Sequence, residues 1–358
     1  MMLIAAILLI LAGCDSGGSE REPQRNAPES RAIAEREIAA AGKSVTVFTA
    51  RHYTADEAVF EAFTKKTGIK VNEVKGTAEE LIGLMKREGA VSEADLFFTV
   101  DGGVLNEAKR QQVLKPMQSA VLDDNVPARW RDPEHYWIGV ATRARVIVYA
   151  KDRVKREELS TYESLTDAKW KGRILVRSSS SLYNQSLLAS FIALNGEGRA
   201  ASWARGIAEN MARAPKGGDR EQAMAIAEGI GDIAIMNTYY VGQLSVSEDS
   251  QEARIPDGLG VFFPDQETGG THVNISGIGL ALHAKNEDNA RKLVEFMTGT
   301  EGQTLLSSES FEYPVNPKAA IPDLLRSWGT FKAQSLDFAK LANNREKAIA
   351  LFGQAGWK

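Results

Sequence analysis

Cysteine is nearly absent from this chain. It has one cysteine in 358 residues, so no disulfide bond can form within it. Basic residues are not in excess either, since 43 Lys and Arg stand against 47 Asp and Glu, for a formal net charge of −4. Nucleic-acid-binding domains carry a basic stripe. We therefore expect no nucleic-acid partner and a fold that is stable without covalent cross-links.

The signatures of common enzymes are missing as well. The chain contains no nucleophile elbow, no HExxH zinc signature and no GxxxxGKS phosphate-binding loop. Serines run from Ser178 to Ser181, but the sequence places no catalytic base beside them. We predict that the chain is not an enzyme.

A short apolar run opens the chain, from Leu3 to Leu11, and Ala12-Gly13-Cys14 follow it. A transmembrane helix needs about 20 apolar residues, whereas a shorter run followed by small residues is typical of a secretory signal. The segment from Leu11 to Cys14 resembles the bacterial lipobox, in which the signal is cut before an acylated cysteine. We predict a signal peptide at residues 1–13 and lipidation of Cys14, which would anchor the protein to a membrane in the periplasm or at the cell surface.

Residues 14–43 show no sustained apolar pattern. Gly17-Gly18, Pro23, Pro28 and mixed charges in this stretch predict a tether. The rest of the chain exceeds the roughly 250 to 300 residues at which single hydrophobic cores stop growing. Two lobes are therefore expected after the tether.

From residue 44 onward, β-branched and aromatic runs alternate with segments whose apolar residues have helical spacing. The first set comprises a strand at Val45 to Phe48, a helix at Ala55 to Lys66 that Gly68 ends, a strand at Ile69 to Val74, a helix at Glu79 to Arg87 and a strand at Asp95 to Phe98. Such alternation predicts an α/β lobe with a parallel sheet that helices cover on both faces.

A second set of alternations begins after two extended segments, Trp137 to Val140 and Arg145 to Tyr149. It comprises strands at Arg173 to Val176, Asp232 to Met236 and Val261 to Phe263, with helices at Leu187 to Leu194, Trp203 to Ala212 and Arg220 to Glu228. Val273 to Leu282 then predicts a return crossing, with helices at Ala290 to Met297 and around Leu305. We predict lobe 1 at residues 44–140 and 276–358 and lobe 2 at residues 141–275.

Three motifs stand where strands end or helices begin. They are Thr49-Ala50-Arg51-His52-Tyr53, Leu182-Tyr183-Asn184-Gln185-Ser186 and Asn237-Thr238-Tyr239-Tyr240. In this order they resemble the three ligand loops of the periplasmic ferric-iron-binding proteins. Gly139 to Tyr149 and His272 to Gly277 are similar to the crossings of that family, as is Tyr313 to Pro317 to its C-terminal part. The resemblance covers roughly residues 44 to 320.

The resemblance implies a two-lobe periplasmic-binding-protein fold of type II, in which each lobe has a mixed, largely parallel sheet flanked by helices. Two hinge crossings would join the lobes, which would close around the ligand. It also implies capture of Fe³⁺ as the transported ligand and its delivery to an ABC transporter permease by a monomeric binding protein. Tyr53, Tyr183, Tyr239 and Tyr240 are the implied metal ligands, together with His52.

The chemistry of phenols gives an independent reason for this choice of metal. A hard trivalent cation prefers anionic oxygen donors, and a phenol can ionise at neutral pH when it binds such a cation. Three phenolates balance Fe³⁺, and a fourth makes the site anionic. The four candidates are half of the eight tyrosines in the chain. Adjacent tyrosines in a loop can both reach one ion, whereas on a strand they would point to opposite faces.

Several roles stay open at this level. His52 could bind the metal through its imidazole or donate a hydrogen bond to a phenolate. Arg143 and Arg145 could be solvated, could line the cleft as counter-charges or could hold an accessory anion, and we favour contact of one of them with a ligating group. The Tyr239-Tyr240 pair alone would more simply predict packing.

The main alternative function uses the same fold for another ligand. A polyamine-like or thiamine-like cation would stack on aromatic rings, and a phosphonate-like anion would be held by Arg143. Sites for such ligands usually have Trp, Asp, Ser or Thr at the loop positions where this chain has tyrosines. The tyrosines therefore favour iron.

Overall fold

The structure is a computed structural model that describes residues 43–358. The predicted signal peptide, the lipidation site Cys14 and the tether up to residue 42 lie outside the described residues, and the predictions for them stay predictions. Within the described part, every helix is too short or too polar to cross a bilayer.

Residues 43–358 form ten strands and twelve α-helices. The strands are β1 (Ser44–Thr49), β2 (Lys70–Lys75), β3 (Leu96–Thr99), β4 (Leu114–Lys115), β5 (Ile138–Ala150), β6 (Ile174–Leu175), β7 (Ile233–Asn237), β8 (Leu259–Phe262), β9 (Val273–Ala281) and β10 (Tyr313–Pro314). The helices are α1 (Thr54–Thr67), α2 (Ala78–Glu88), α3 (Gly102–Arg110), α4 (Ala120–Asn125), α5 (Leu182–Asn195), α6 (Glu197–Asn210), α7 (Asp219–Ala227), α8 (Thr238–Ser245), α9 (Glu287–Thr298), α10 (Thr300–Ser310), α11 (Asp323–Ser327) and α12 (Ala339–Gln354).

The first sheet is centred on β1, which pairs in parallel with β2 and β3. Between β1 and β2, α1 ends at Gly68, whose left-handed backbone (φ 73°) is tolerated without cost by a residue that lacks Cβ. β3 lies between β1 and β9 in this sheet. β9 also pairs with β4 and with the first half of β5. The strands and helices predicted between residues 45 and 98 are confirmed to within one residue at each end.

The second sheet contains the second half of β5, which lies between β7 and β8. β6 extends it by pairing in parallel with β7. Helices α5, α6 and α7 connect β6 to β7. The predicted strands and helices of this region are present, although α6 begins at Glu197, six residues before the predicted start at Trp203.

One strand, β5, belongs to both sheets. Its residues Ile138 to Ala144 pair with β9, and Arg145 to Tyr149 pair with β7. The prediction of two separate extended segments here was wrong, because the polar Thr142 and the charged Arg143 interrupt the apolar pattern between them. All 13 residues of β5 are nevertheless buried, since the guanidinium groups of Arg143 and Arg145 both find partners inside the protein.

The α/β class is confirmed, but fewer strands pair in parallel than predicted. Among the described strands, three pairs are parallel and six are antiparallel. Every antiparallel pair contains β5 or β9. The difference therefore comes from the long strands that cross the molecule, which run against their neighbours.

Two helices that the sequence did not predict, α3 and α12, pack against each other. α3 begins with Gly102-Gly103, and a Cβ at Gly102 would lie 2.6 Å from the ring of Phe338. α12 also packs against α5 and α6, so it contacts helices that follow strands of both sheets. Behind it Trp357 is buried, and its Nε1 donates to the carbonyl oxygen of Arg177 at 2.9 Å.

Candidate metal centre

Tyr53 is the N-cap residue of α1 and reaches the site from the end of β1. Its ring lies against the guanidinium of Arg51, with the Arg51 Cζ atom 4.4 Å from the ring centroid. Arg51 is buried and forms ion pairs with Asp56 at 2.8 Å and Glu312 at 2.9 Å, as well as a hydrogen bond to Ser276. The cation behind Tyr53 is therefore neutralised by two carboxylates.

Tyr183 lies in the first turn of α5, half-buried. Three guanidinium groups surround its ring, from Arg177 at 5.2 Å, Arg143 at 5.6 Å and Arg145 at 5.8 Å to the centroid. Positive charge is therefore concentrated around this ring.

Tyr239 and Tyr240 lie in the first turn of α8, which begins directly after β7. We predicted a loop here, and the structure shows a helix instead. Successive residues of a helix differ in direction by about 100°, so the two rings stay on one side and their centroids are only 4.3 Å apart. The Tyr239 ring also meets Tyr53 edge to face, with centroids 5.7 Å apart.

The hydroxyl groups of three tyrosines converge. The Tyr53 and Tyr239 oxygens are 2.9 Å apart, those of Tyr239 and Tyr183 are 3.1 Å apart, and those of Tyr53 and Tyr183 are 3.4 Å apart. Tyr240 joins them through its ring, which packs against the ring of Tyr239. The structure thus brings the four predicted tyrosines together from three separate elements, and we name them the tyrosine cluster.

Burial keeps the hydroxyls of Tyr53, Tyr239 and Tyr240 protonated in the absence of a cation. Burial, followed by the proximity of Tyr183, raises the pKa of Tyr53 and of Tyr239 well above the ordinary phenol value. The same two causes raise the pKa of Tyr240. An entering cation would therefore have to displace protons from these oxygens.

His52 is not brought into the cluster. Its side chain is exposed, and among residues 43–358 no hydrogen bond joins it to a tyrosine hydroxyl. Its predicted role as a ligand stays a prediction.

Arg143 and Arg145 both lie beside the cluster, buried. Arg143 donates to the carbonyl oxygen of Val100, and its second terminal nitrogen has no partner among the described residues. Arg145 forms an ion pair with Asp219 at 2.8 Å and donates to Asn184 at 2.8 Å. Of the three roles left open, solvation at the surface is excluded for both.

Three charged residues of this region were missed from the sequence: Arg51, Arg177 and Asp219. Arg177 follows β6 and Asp219 begins α7, and their side chains approach to 3.7 Å. Arg51 could have been found, because it directly precedes His52-Tyr53. Nothing in the local pattern marks the other two.

A small cavity adjoins Tyr183 on the side of the arginines. Arg143, Arg145, Asn237, His272 and Asn274 line it together with Tyr183, and its volume is about 10 Å³. That is about the space of one water molecule. Burial lowers the pKa of His272 to about 4, so this imidazole is neutral and adds no charge to the cavity.

The cluster differs in chemistry from common metal sites of enzymes. Among the described residues no group of three or more His, Cys, Asp or Glu side chains could hold a metal ion. The convergent donors are phenol oxygens, which as phenolates suit a hard, highly charged cation.

Solved structures confirm the two-lobe periplasmic-binding-protein fold. A Trichodesmium protein in complex with iron and citrate ligands superimposes with a TM-score of 0.83 at 43% identity, covering 88% of this chain and 100% of that one. Ferric iron-binding protein A of Mannheimia haemolytica, solved in an open conformation, superimposes with a TM-score of 0.80 at 36% identity, covering 88% and 99%.

Sequence comparison identifies the family. Iron uptake protein A1 of Synechocystis sp. is 43% identical over 316 residues, which are 88% of each chain. Residues 92–341 match the family model described as bacterial extracellular solute-binding protein. On both grounds the chain belongs to the family of bacterial extracellular solute-binding proteins.

Proposed function

We propose that the protein captures ferric iron outside the cytoplasmic membrane and delivers it to the permease of an ABC transporter. The observation that carries this proposal is the triangle of phenol oxygens, with sides of 2.9, 3.1 and 3.4 Å. Oxygen ligands that lie about 2.0 to 2.2 Å from a small cation, at right angles to each other, are about 3 Å apart. The triangle therefore has the spacing of three ligands on one face of a single ion.

The proposed ligands are Tyr53, Tyr183, Tyr239 and Tyr240, each bound as a phenolate. Four phenolates around Fe³⁺ leave one negative charge in excess, and Arg143, Arg145 and Arg177 lie where they would offset it. We propose this counter-charge role for the arginines in place of an accessory anion. Whether His52 joins the ligands depends on movement of its exposed side chain.

Capture would proceed by closure of the lobes around the ion. We propose lobe 1 at residues 44–140 and 276–358 and lobe 2 at residues 141–275. Support comes from β5, whose pairing changes from the first sheet to the second between Ala144 and Arg145. Tyr53 then belongs to one lobe and the other three tyrosines to the other, so a bound ion would bridge them and opening would release it to the permease.

A visible spectrum tests the proposed site. Tyrosinate bound to Fe³⁺ gives a charge-transfer band, so purified protein should become coloured when ferric citrate is added. Tyr240→Phe keeps the ring and removes the oxygen, and it should shift or abolish the band and speed the loss of iron to excess citrate. The thermal stability of the metal-free protein should change little.

Tyr313→Phe is the matched control, because Tyr313 packs near the cluster and its buried hydroxyl has no partner among the described residues. It should keep both the band and the iron. If Tyr240→Phe also keeps the wild-type spectrum and iron retention, the cluster is not the site, and a small organic cation or anion becomes the better ligand.

The remaining parts of the proposal concern the protein as a whole. We propose that it is a binding protein without enzymatic activity, that it acts as a monomer, and that Cys14 is acylated and anchors it to the membrane. Family membership supports the first point, and the apolar run before Cys14 supports the last. Cys14→Ser should be released from membranes after removal of peripheral proteins, and retention equal to wild type would refute the anchor.

A further inference from the structure

The start of α5 contacts several parts of the molecule at once. Tyr183 points into the cluster, Asn184 accepts from Arg145 at 2.8 Å, and Gln185 accepts from Arg345 of α12 at 3.0 Å. Ser186 reaches further. Its Oγ donates to Oδ2 of Asp101, the N-cap residue of α3, at 2.5 Å.

This hydrogen bond spans the cleft between the two sheets. Asp101 follows β3 of the first sheet, whereas Ser186 lies on the helix that follows β6 of the second sheet. Both side chains are buried, with 1% of Asp101 and 4% of Ser186 exposed. Ser186 and Tyr183 are three residues apart on α5, and such residues are neighbours on one face of a helix. The contact therefore forms on the same face that carries Tyr183 to Tyr53.

Asp101 is also held by α3 and by β9 of the first sheet. Its Oδ1 accepts from the backbone N–H of Val104 at 3.0 Å, and its Oδ2 accepts from Nδ2 of Asn274 at 2.6 Å. Asn274 in turn accepts from the N–H of Gly102 at 3.0 Å. The carboxylate is thus fixed by α3 and by β9, and Ser186 is the partner that comes from across the cleft.

We propose that Ser186 and Asp101 form a closure latch, in which they act as positioning residues that keep Tyr183 beside Tyr53 and slow the escape of the bound ion. The inference rests on the proposed iron-binding function. A buried carboxylate is costly unless its oxygens are hydrogen-bonded. Because its two partners lie on helices that follow strands of different sheets, the bond should break when the lobes separate, and it would then stabilise the closed state alone.

A second contact across the cleft is weaker by comparison. The guanidinium of Arg345 bridges Gln185 and Glu79 of α2, at 3.0 and 3.2 Å. Glu79 is largely exposed, with 81% of its side chain accessible. Exposed ion pairs contribute little because water and salt screen them. The latch is therefore assigned to the buried bond alone.

Iron dissociation from the full chain tests the latch. The loaded protein would be mixed with excess EDTA and the decay of the charge-transfer band followed. Ser186→Ala should lose iron about 10- to 100-fold faster, which is the range expected for a hydrogen bond to a charged group. The position of the band should stay unchanged, since all phenolates remain.

Ser190→Ala is the matched control, because Ser190 is buried on the same helix and donates only to the Leu187 carbonyl oxygen, at 2.7 Å, among the described residues. It should release iron at the wild-type rate. In an Asp101→Asn background, which keeps an oxygen to cap Val104, the effect of Ser186→Ala should shrink, as expected for coupled partners.

Three results would overturn the latch: wild-type dissociation in Ser186→Ala, an equal effect of Ser186→Ala in both backgrounds, or a shifted band. Solution scattering of the metal-free protein gives a readout that needs no iron, and there Ser186→Ala should have a larger radius of gyration than Ser190→Ala. Equal radii would count against the latch. A wild-type protein that stays colourless refutes the proposed function, and the scattering result still decides the latch.

Discussion

The two sides of the tyrosine cluster differ in charge. On the side of the first sheet, Tyr53 is backed by one guanidinium, Arg51, which two carboxylates neutralise at 2.8 and 2.9 Å. On the side of the second sheet, three arginines surround Tyr183, and among residues 43–358 their only carboxylate partner is Asp219, which pairs with Arg145 and Arg177. The first side has no surplus of positive charge, whereas the second has a surplus of two.

The difference suggests that the two sides contribute to iron binding at different steps. The second side holds three of the four proposed ligands, and its arginines would offset the charge of the phenolates once the ion is bound, so this side is suited to take the ion first. The first side offers one phenol, positioned by an ion-pair network that is already satisfied. Tyr53 would then complete the coordination when the cleft closes.

The pH dependence should show the largest effect. Because burial raises the pKa of Tyr53, Tyr239 and Tyr240, these phenols are protonated in the free protein across the neutral range. Each phenolate formed on binding releases one proton, so affinity rises with pH and falls on acidification. The protons from these three phenols alone should make the apparent affinity change by at least roughly a thousandfold per pH unit, measured by competition with a chelator.

The chelator also binds protons as the pH falls, so the slope of iron affinity against pH has to be compared with that of a reference variant. Tyr240→Phe should bind with one proton fewer and show a slope smaller by about one decade per pH unit under identical conditions. Equal slopes would mean that Tyr240 does not bind as a phenolate.

The second test compares Tyr183→Phe with Tyr53→Phe. Both should lose more affinity than the roughly 10- to 100-fold that is lost with an outer-shell partner. Tyr183→Phe should lose more iron affinity than Tyr53→Phe, because it removes the phenol oxygen of the ring that the three arginines surround. Tyr53→Phe should still become coloured and should lose iron quickly. The iron affinities of both variants can be measured by competition titrations that follow the visible band. If Tyr53→Phe stays colourless, the ion does not bind first on the side of the second sheet.

The smallest effect should come from Arg177→Gln. It removes one of the three cations around the Tyr183 ring without removing a ligand. Iron affinity should fall about tenfold, within the range for outer-shell partners. Arg173→Gln is the control, since Arg173 also flanks β6 but pairs with Asp232 at 2.7 Å. If both variants have the same affinity, the positive surplus does not stabilise the bound state.

The local elements of the fold could be read from the sequence with good accuracy. The run Val45 to Phe48 and the helix up to Gly68 were placed to within one residue, because side-chain periodicity and helix termination are local effects. α3 was missed because Gly102-Gly103 are poor helix formers, and only the contact with Phe338 explains them. α12 was missed because it acquires its buried face from helices distant in the chain.

For the site, the sequence by itself determined the choice of proposed ligands: four tyrosines, each close to the end of a strand or the start of a helix. It could not determine how they meet. The convergence of the hydroxyls, the pairing of Arg145 with Asp219 and the bond between Ser186 and Asp101 all join residues far apart along the chain. Tertiary structure alone decided these, because the energy of a buried charge or phenol depends on the groups that surround it in space.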